Sequence, residues 1–319
     1  MMKNMLCALV LGCTAASALA QAWPDRTVRL VVPFPPGGGT DISARLLAEK
    51  LSTVWKQPVV VENVAGAAGS VGAARVARSA PDGYYLLFAP SGVLTANPIL
   101  YPNAGYDTIK DFSAVTMVAS GPMLLVVPAN SPYRNLADLI AAAKAQPGKL
   151  THGHAGVGAQ VQLVAESFLG AAGIDVLGVP YKGEVPALTA LIGAETQFSV
   201  GNFAAAISHV RGGRLRALGV TGREASPLLP DVPPIARTLP GFEAYGWFGI
   251  VAPRGTPPAV IDAIYRETRK AADSTDLKAR LYVQGMVPVA STPQVMESTI
   301  EGETRKWTRL IRERGIKVQ

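Results

Sequence analysis

Residues Val31–Ile42 read VVPFPPGGGTDI: the end of an apolar run, three prolines around Phe34, three consecutive glycines, Thr40 and Asp41, and the first residue of a periodic segment. The run before the loop, Thr27–Pro33 (TVRLVVP), has the β-branched, apolar content of a buried strand. After it, Ile42, Leu46, Leu47, Leu51 and Trp55 recur at helical spacing, with Arg45, Glu49, Lys50 and Lys56 on the other face. A strand that feeds through glycines into a helix aims backbone N–H groups and a positive helix end at one point, which favours an anion. Pro35 and Pro36 cannot donate and instead fix the path of the chain. The expected donors are Gly37, Gly38, Gly39 and Thr40, with Thr40 or Asp41 capping the helix. A glycine turn with a capped helix and no ligand fits the loop as well. A triphosphate cradle does not, because an acid stands where that loop needs a lysine.

Working outward, strand-like and helix-like runs alternate along the whole chain. Pro58–Glu62 and Tyr84–Ala89 read as strands around a helix over 70–79. In the middle, Met123–Pro128, Leu150–His152, Asp175–Pro180, Thr196–Val200 and Leu215–Thr221 read as strands, and 136–145, 160–169 and 185–192 as helices. A proline-rich connector follows over 227–240, then a strand at Gly246–Pro253 and helices over 257–273 and 293–315. The second glycine loop, Gly153–Ala159, also lies between a strand and a helix, as does Gly66–Gly72. Two such units predict an α/β protein of two lobes, each a mainly parallel sheet flanked by helices, with a ligand cleft at the carboxyl ends of the strands. GVGAQV falls short of a dinucleotide fingerprint because Val161 takes the place of its last glycine.

Composition bounds the function. The chain has 319 residues, 49% hydrophobic and 17% charged, which supports one large or two ordinary packed domains. Lys3, an apolar run and Ala18-Leu19-Ala20 form a signal peptide over 1–20, with cleavage before Gln21, so the mature chain is expected in the periplasm. Anchoring as a lipoprotein at Cys13 is the alternative. Cys7 and Cys13 are the only cysteines, so the mature chain would have no thiol. The formal charge of +7 is spread without long Lys/Arg runs, which argues against nucleic acid. His152 and His154 share one side of a strand, but no third ligand is evident, so no metal is expected. Ser199 lacks the first glycine of a nucleophile elbow, no acid–base pair stands out, and neither an enzyme activity nor a cofactor is expected.

The residues VVPFPPGGGTDISARLLAEKL, ENVAGAAGSVGAARVARSAPDGYYLLFAPSG, VPYKGEVPALTALIG, LRALGVT, LLPDVPPIA and GWFGIVAPRGTPP closely resemble the Bug family, the TctC-like periplasmic solute receptors of tripartite tricarboxylate transporters. The resemblance runs through essentially all of the mature chain and implies a two-lobed periplasmic binding protein of type II-like form. It implies capture of a small carboxylate, delivery to integral-membrane permease subunits, and action as a monomer. Lobe one is expected over 24–121 and 222–319, and lobe two over 122–221, with crossings near Ser120-Gly121 and Val220-Thr221. By the same resemblance the first lobe offers Phe34, Pro35, Gly37, Gly38, Gly39, Thr40, Asp41 and Ser91 to the ligand. The second offers Gly156, Gly158, Ala159, Gln160, Tyr181 and Lys182. Gln160 and Gln197 depart from the family pattern and are expected to change the polar character of the site. Asp41 has a rival reading as a helix cap, and Ser91 as a turn residue. A sensory receptor presenting its bound acid to a membrane kinase, or a cleft hydrolase or isomerase, are the alternative functions.

Overall fold

The computed structural model describes residues 23–318. The expected signal peptide and its cleavage site lie outside them, apart from the chain that follows from Trp23. Ten strands form one continuous sheet: β1 (Val28–Val32), β2 (Val59–Asn63), β3 (Tyr85–Pro90), β4 (Phe112–Pro128), β5 (Thr151–His154), β6 (Leu177–Pro180), β7 (Phe198–Asn202), β8 (Leu215–Val220), β9 (Tyr245–Pro253) and β10 (Val287–Pro288). Their order is β2-β1-β3-β9-β4-β7-β5-β6, with β8 and β10 also on β4.

Parallel pairing is confined to two blocks, β2-β1-β3 and β7-β5-β6. The strands between them are antiparallel, which departs from the expected mainly parallel sheets. The cause is β4, whose 17 residues were read as a strand only from Met123 onward. Its first part, Phe112–Pro122, pairs with β9, and from Met123 it pairs with β7 and β8, so one strand serves both halves of the molecule. Thr221 ties the handover: its hydroxyl accepts from the Met123 N–H at 2.7 Å and donates to the Ala244 carbonyl at 2.7 Å.

Helices cover both faces of each half. Along β1, Val28, Leu30 and Val32 join one apolar cluster while Val31 joins another, as strand alternation requires. In the other half, Phe168, Phe198 and Leu139 fill one face, and Leu188, Phe203 and Ile207 the other. The C-terminal helix Pro293–Arg314 packs Trp307 and Ile311 against Leu100 and Leu163, bridging the halves.

The helix after the quoted loop spans Gly39–Trp55, three residues earlier than its apolar periodicity indicated. Its N-cap is Gly38, without a side-chain cap. Thr40 and Asp41 therefore do not cap it; they lie inside the first turn, because the last of the three glycines, Gly39, already takes up helical backbone. The helix Phe203–Arg211, which carries Asn202 as N-cap, has no counterpart in the periodicity reading.

Candidate functional site

The loop from Pro33 to Gly38 leaves the carboxyl end of β1 and is pinned from below. The Asn63 side-chain amide donates to the Phe34 carbonyl and to Asp41 Oδ1, both at 2.9 Å. Gly37 N–H donates to Asp41 Oδ2 at 3.0 Å, and Arg45 reaches both carboxylate oxygens from one turn on. Gly37 sits at φ +89, where a side chain would be strained. Burial pushes the Asp41 carboxyl up, but the bonds from Arg45, Gly37 and Asn63 outweigh it and leave the group below its ordinary value. A lowered folded-state value stabilises the protein fully above the unfolded value of about 3.9, and that contribution is lost as the pH falls from there through the lowered folded value. Asp41→Ala is expected to cost about 2 kcal/mol near neutrality, because it leaves buried donors without an acceptor. Urea unfolding of both forms should show this gap at pH 7 and a smaller one at pH 3; an unchanged gap would mean that the carboxylate charge is not what holds the loop.

Three strand-to-helix turns face this loop. The helix Gln160–Ala172 begins after the β5 turn, Glu184–Ile192 after β6, and Phe203–Arg211 directly after β7. Together with the first loop they enclose a cleft with about 30 Å³ of free space, room for about two waters. Phe34, Pro35, Pro36, Gly38, Thr40 and Pro90 form one wall. Ala155, Ala159, Gln160, Val161, Glu184, Val185 and Asn202 form the other. The walls touch: a Cβ at Gly39 would lie 2.7 Å from the Asn202 Cβ.

A polar chain runs across this contact. Gln160 Oε1 accepts from the Ser91 N–H at 3.1 Å, the Ser91 hydroxyl at 2.9 Å and the Trp247 N–H at 3.2 Å. Gln160 Nε2 donates to Asn202 Oδ1 at 3.3 Å, and Asn202 Nδ2 donates to both oxygens of Glu184 at 3.1 Å. Glu184 also accepts from the backbone N–H of Asn202 at 2.6 Å and of Gly39 at 3.0 Å. Burial pushes the Glu184 carboxyl up from its ordinary value, against the Gly39 and Asn202 bonds that pull it down.

Of the residues singled out in the sequence, Phe34, Pro35, Gly38, Thr40, Ala159 and Gln160 line the cleft. Gly37, Gly39, Asp41 and Ser91 sit directly behind it, bonded to the loop, to Glu184 or to Gln160. Gly156, Gly158, Tyr181, Lys182 and Gln197 do not line it. Gly158 N–H bonds Gln162 Oε1 within its own helix start, Tyr181 reaches Glu195, and Lys182 is exposed. Gln197 Oε1 accepts from the Thr151 N–H at 2.7 Å. That bond lies where β5 and β7 begin, the edge of the sheet opposite the cleft. Glu184 and Asn202 escaped the sequence reading. Glu184 was visible only as a variable residue inside PYKGEVPAL, and Asn202 as the last residue before an unrecognised helix.

His152 and His154 do face one way, with ring centroids 5.3 Å apart. His152 stacks on Phe198 and lies 3.6 Å from Glu166, which Arg314 holds at 3.0 Å. Burial pushes His154 down to about 4. Among the described residues no group of three His, Cys, Asp or Glu side chains is placed to hold a metal.

Residues 43–316 match the model of the tripartite tricarboxylate transporter family receptor. The chain is 37% identical to Protein BugT of Bordetella pertussis over 307 residues, covering 96% of this chain and 94% of that one. Among solved structures it superposes on R. palustris Rpa4515 with adipate at a TM-score of 0.89 and 34% identity, over 92% of this chain and 99% of that one. It superposes on MatC from Rhodopseudomonas palustris with bound malate at 0.84 and 32% identity, over 90% and 99%. The fold is that of a two-lobed periplasmic binding protein, and with a family match over most of its length, the chain belongs to the tripartite tricarboxylate transporter receptor family.

Proposed function

We propose that this chain captures a small organic acid in the cleft behind Phe34–Thr40 and delivers it, as a periplasmic monomer, to the membrane subunits of a tripartite transporter. The observation that carries the reading is the convergence of helix starts from both sides on one enclosed cleft, in a fold whose relatives include one structure with adipate and one with malate. Residues 24–121 and 222–319 move as one lobe and 122–221 as the other, hinged where β4 and Thr221 cross. Phe34 and the prolines supply an apolar wall, and the loop residues that line the cleft without bonding Asp41 or Glu184, Gly38 and Thr40, supply backbone donors. The ligand binds the folded form alone, so a concentration of 100 times Kd adds about 2.7 kcal/mol of stability, a rise of several degrees in melting temperature. A thermal-shift panel of mono- and dicarboxylic acids, with their amides and ω-amino analogues, should contain at least one such compound. No shift from any of them at millimolar concentration would overturn the proposal.

A further inference from the structure

Glu184 is the one ionisable side chain among the described residues that line the cleft, and no lysine or arginine joins it there. Its carboxylate already occupies the place where the two helix starts converge. The Gly39 N–H from one wall and the Asn202 N–H from the other both end on it. The chain Ser91 to Gln160 to Asn202 orients the Asn202 amide, whose Nδ2 also ends on Glu184, so these donors of the cradle are spent on the protein's own acid. The cleft thus presents an incoming molecule with a carboxyl held by N–H donors alone, the bonding pattern of an ionised group, flanked by apolar walls. A carboxylate placed against that group would meet repulsion in a poorly solvated site with no cation to offset it. An ammonium or amide N–H₂ in the same place would meet attraction instead, and could take over an oxygen site that the shared Asn202 Nδ2 contact now occupies.

We infer that Glu184 sets the specificity of the cleft, selecting an organic acid with a carboxylate at one end and a hydrogen-bond-donating group, an ammonium or a primary amide, at the end that meets Glu184. The inference rests on the acid-receptor reading and narrows it to a class. Burial of Glu184 and its four accepted bonds hold it in place rather than letting it swing out to make room for a second carboxylate.

Titration calorimetry with matched probes tests this: adipate against its monoamide and against 6-aminohexanoate, and succinate against succinamate, each with the wild type and with Glu184→Gln. The wild type should bind the monoamide or the amino acid at least tenfold more tightly than the matching dicarboxylate. Glu184→Gln removes the charge while keeping the shape, and should bring that ratio below threefold, chiefly by gaining affinity for the dicarboxylate. The wild-type comparison needs no variant and stands even if Glu184→Gln folds poorly. A wild type that binds a dicarboxylate as tightly as, or more tightly than, its partner overturns the inference and leaves the acid-receptor reading intact. A uniform gain for all probes in Glu184→Gln also overturns it, since Glu184 would then be a plug and not a selector. Silence from every probe in both proteins overturns the acid-receptor reading together with the inference.

Discussion

Gly39→Val is expected to weaken binding of the acid that most stabilises the wild type by roughly ten- to a hundredfold. The position looks permissive: Gly39 is the first residue of a helix and takes ordinary helical backbone, so a side chain strains nothing locally. The obstacle lies across the cleft, where a Cβ would come within 2.7 Å of the Asn202 Cβ and 3.0 Å of its Cγ. Those atoms belong to the N-cap of the facing helix and cannot yield without moving β7. The two walls must therefore stay about an ångström farther apart, and the Gly39 N–H would lose Glu184. Overpacking of this kind costs about 1–3 kcal/mol, which in a binding constant is about five- to 150-fold and brackets that range. The contact is already made without ligand, so the same overpacking should also lower the unliganded melting temperature by several degrees. Gly170→Ala supplies the control, since nothing lies within 4 Å of a Cβ there and it sits in the last turn of its helix, at the end away from the cleft. Affinity of Gly39→Val within threefold of the wild type would show that the walls do not meet along this contact when ligand is held.

The opening loop was legible because its chemistry is local. Glycines after an apolar run and before a helical period can do little except turn a strand into a helix start, and β1 and the helix Gly39–Trp55 are where that reading puts them. What periodicity could not show was that helical backbone begins within the glycines, which moved Asp41 from cap to anchor beneath the loop. The long strand β4 was half missed for a related reason. Residues 112–121 (FSAVTMVASG) mix small and polar side chains, and only pairing with β9 makes them a strand. The facing wall was read one step off. The family resemblance points to Tyr181 and Lys182 of PYKG, yet the turn at Gly183 directs the next residue, Glu184, into the cleft. In FAAAISHVR, Phe203, Ala206, Ile207 and Val210 do recur at helical spacing, but the segment is nine residues long and follows β7 without a turn, so nothing in it marks the N-cap Asn202 as facing the cleft. In both cases the deciding information is a turn geometry and a cross-cleft contact, neither of which has a local sequence period.

Gln160→Leu should lower the melting temperature by roughly 6–20 °C, although it keeps the side chain's size and adds apolar character at a buried site. Gln160 is 4% exposed, and its carbonyl oxygen collects the Ser91 N–H, the Ser91 hydroxyl and the Trp247 N–H. Its amide also supplies a donor to Asn202. Leucine satisfies none of these. The two backbone N–H groups lie at the start of the helix Ser91–Thr95 and within β9, and neither can turn toward solvent. Each buried polar group stripped of its partner costs about 1–3 kcal/mol. Relaxation and overlap between neighbours reduce the total to about 3–5 kcal/mol, at about 2–4 °C for each kcal/mol in a chain of this size or somewhat smaller. Ser91→Ala removes one hydroxyl donor only and should cost about 1 kcal/mol, because Gln160 Oε1 keeps its two backbone partners. In the double variant the serine loss should add almost nothing, since a hydroxyl facing leucine has no bond left to break. A Gln160→Leu protein that melts within 2 °C of the wild type would show that water or a rearranged neighbour serves these groups, and the chain from Ser91 to Glu184 would then not be what aligns the two walls.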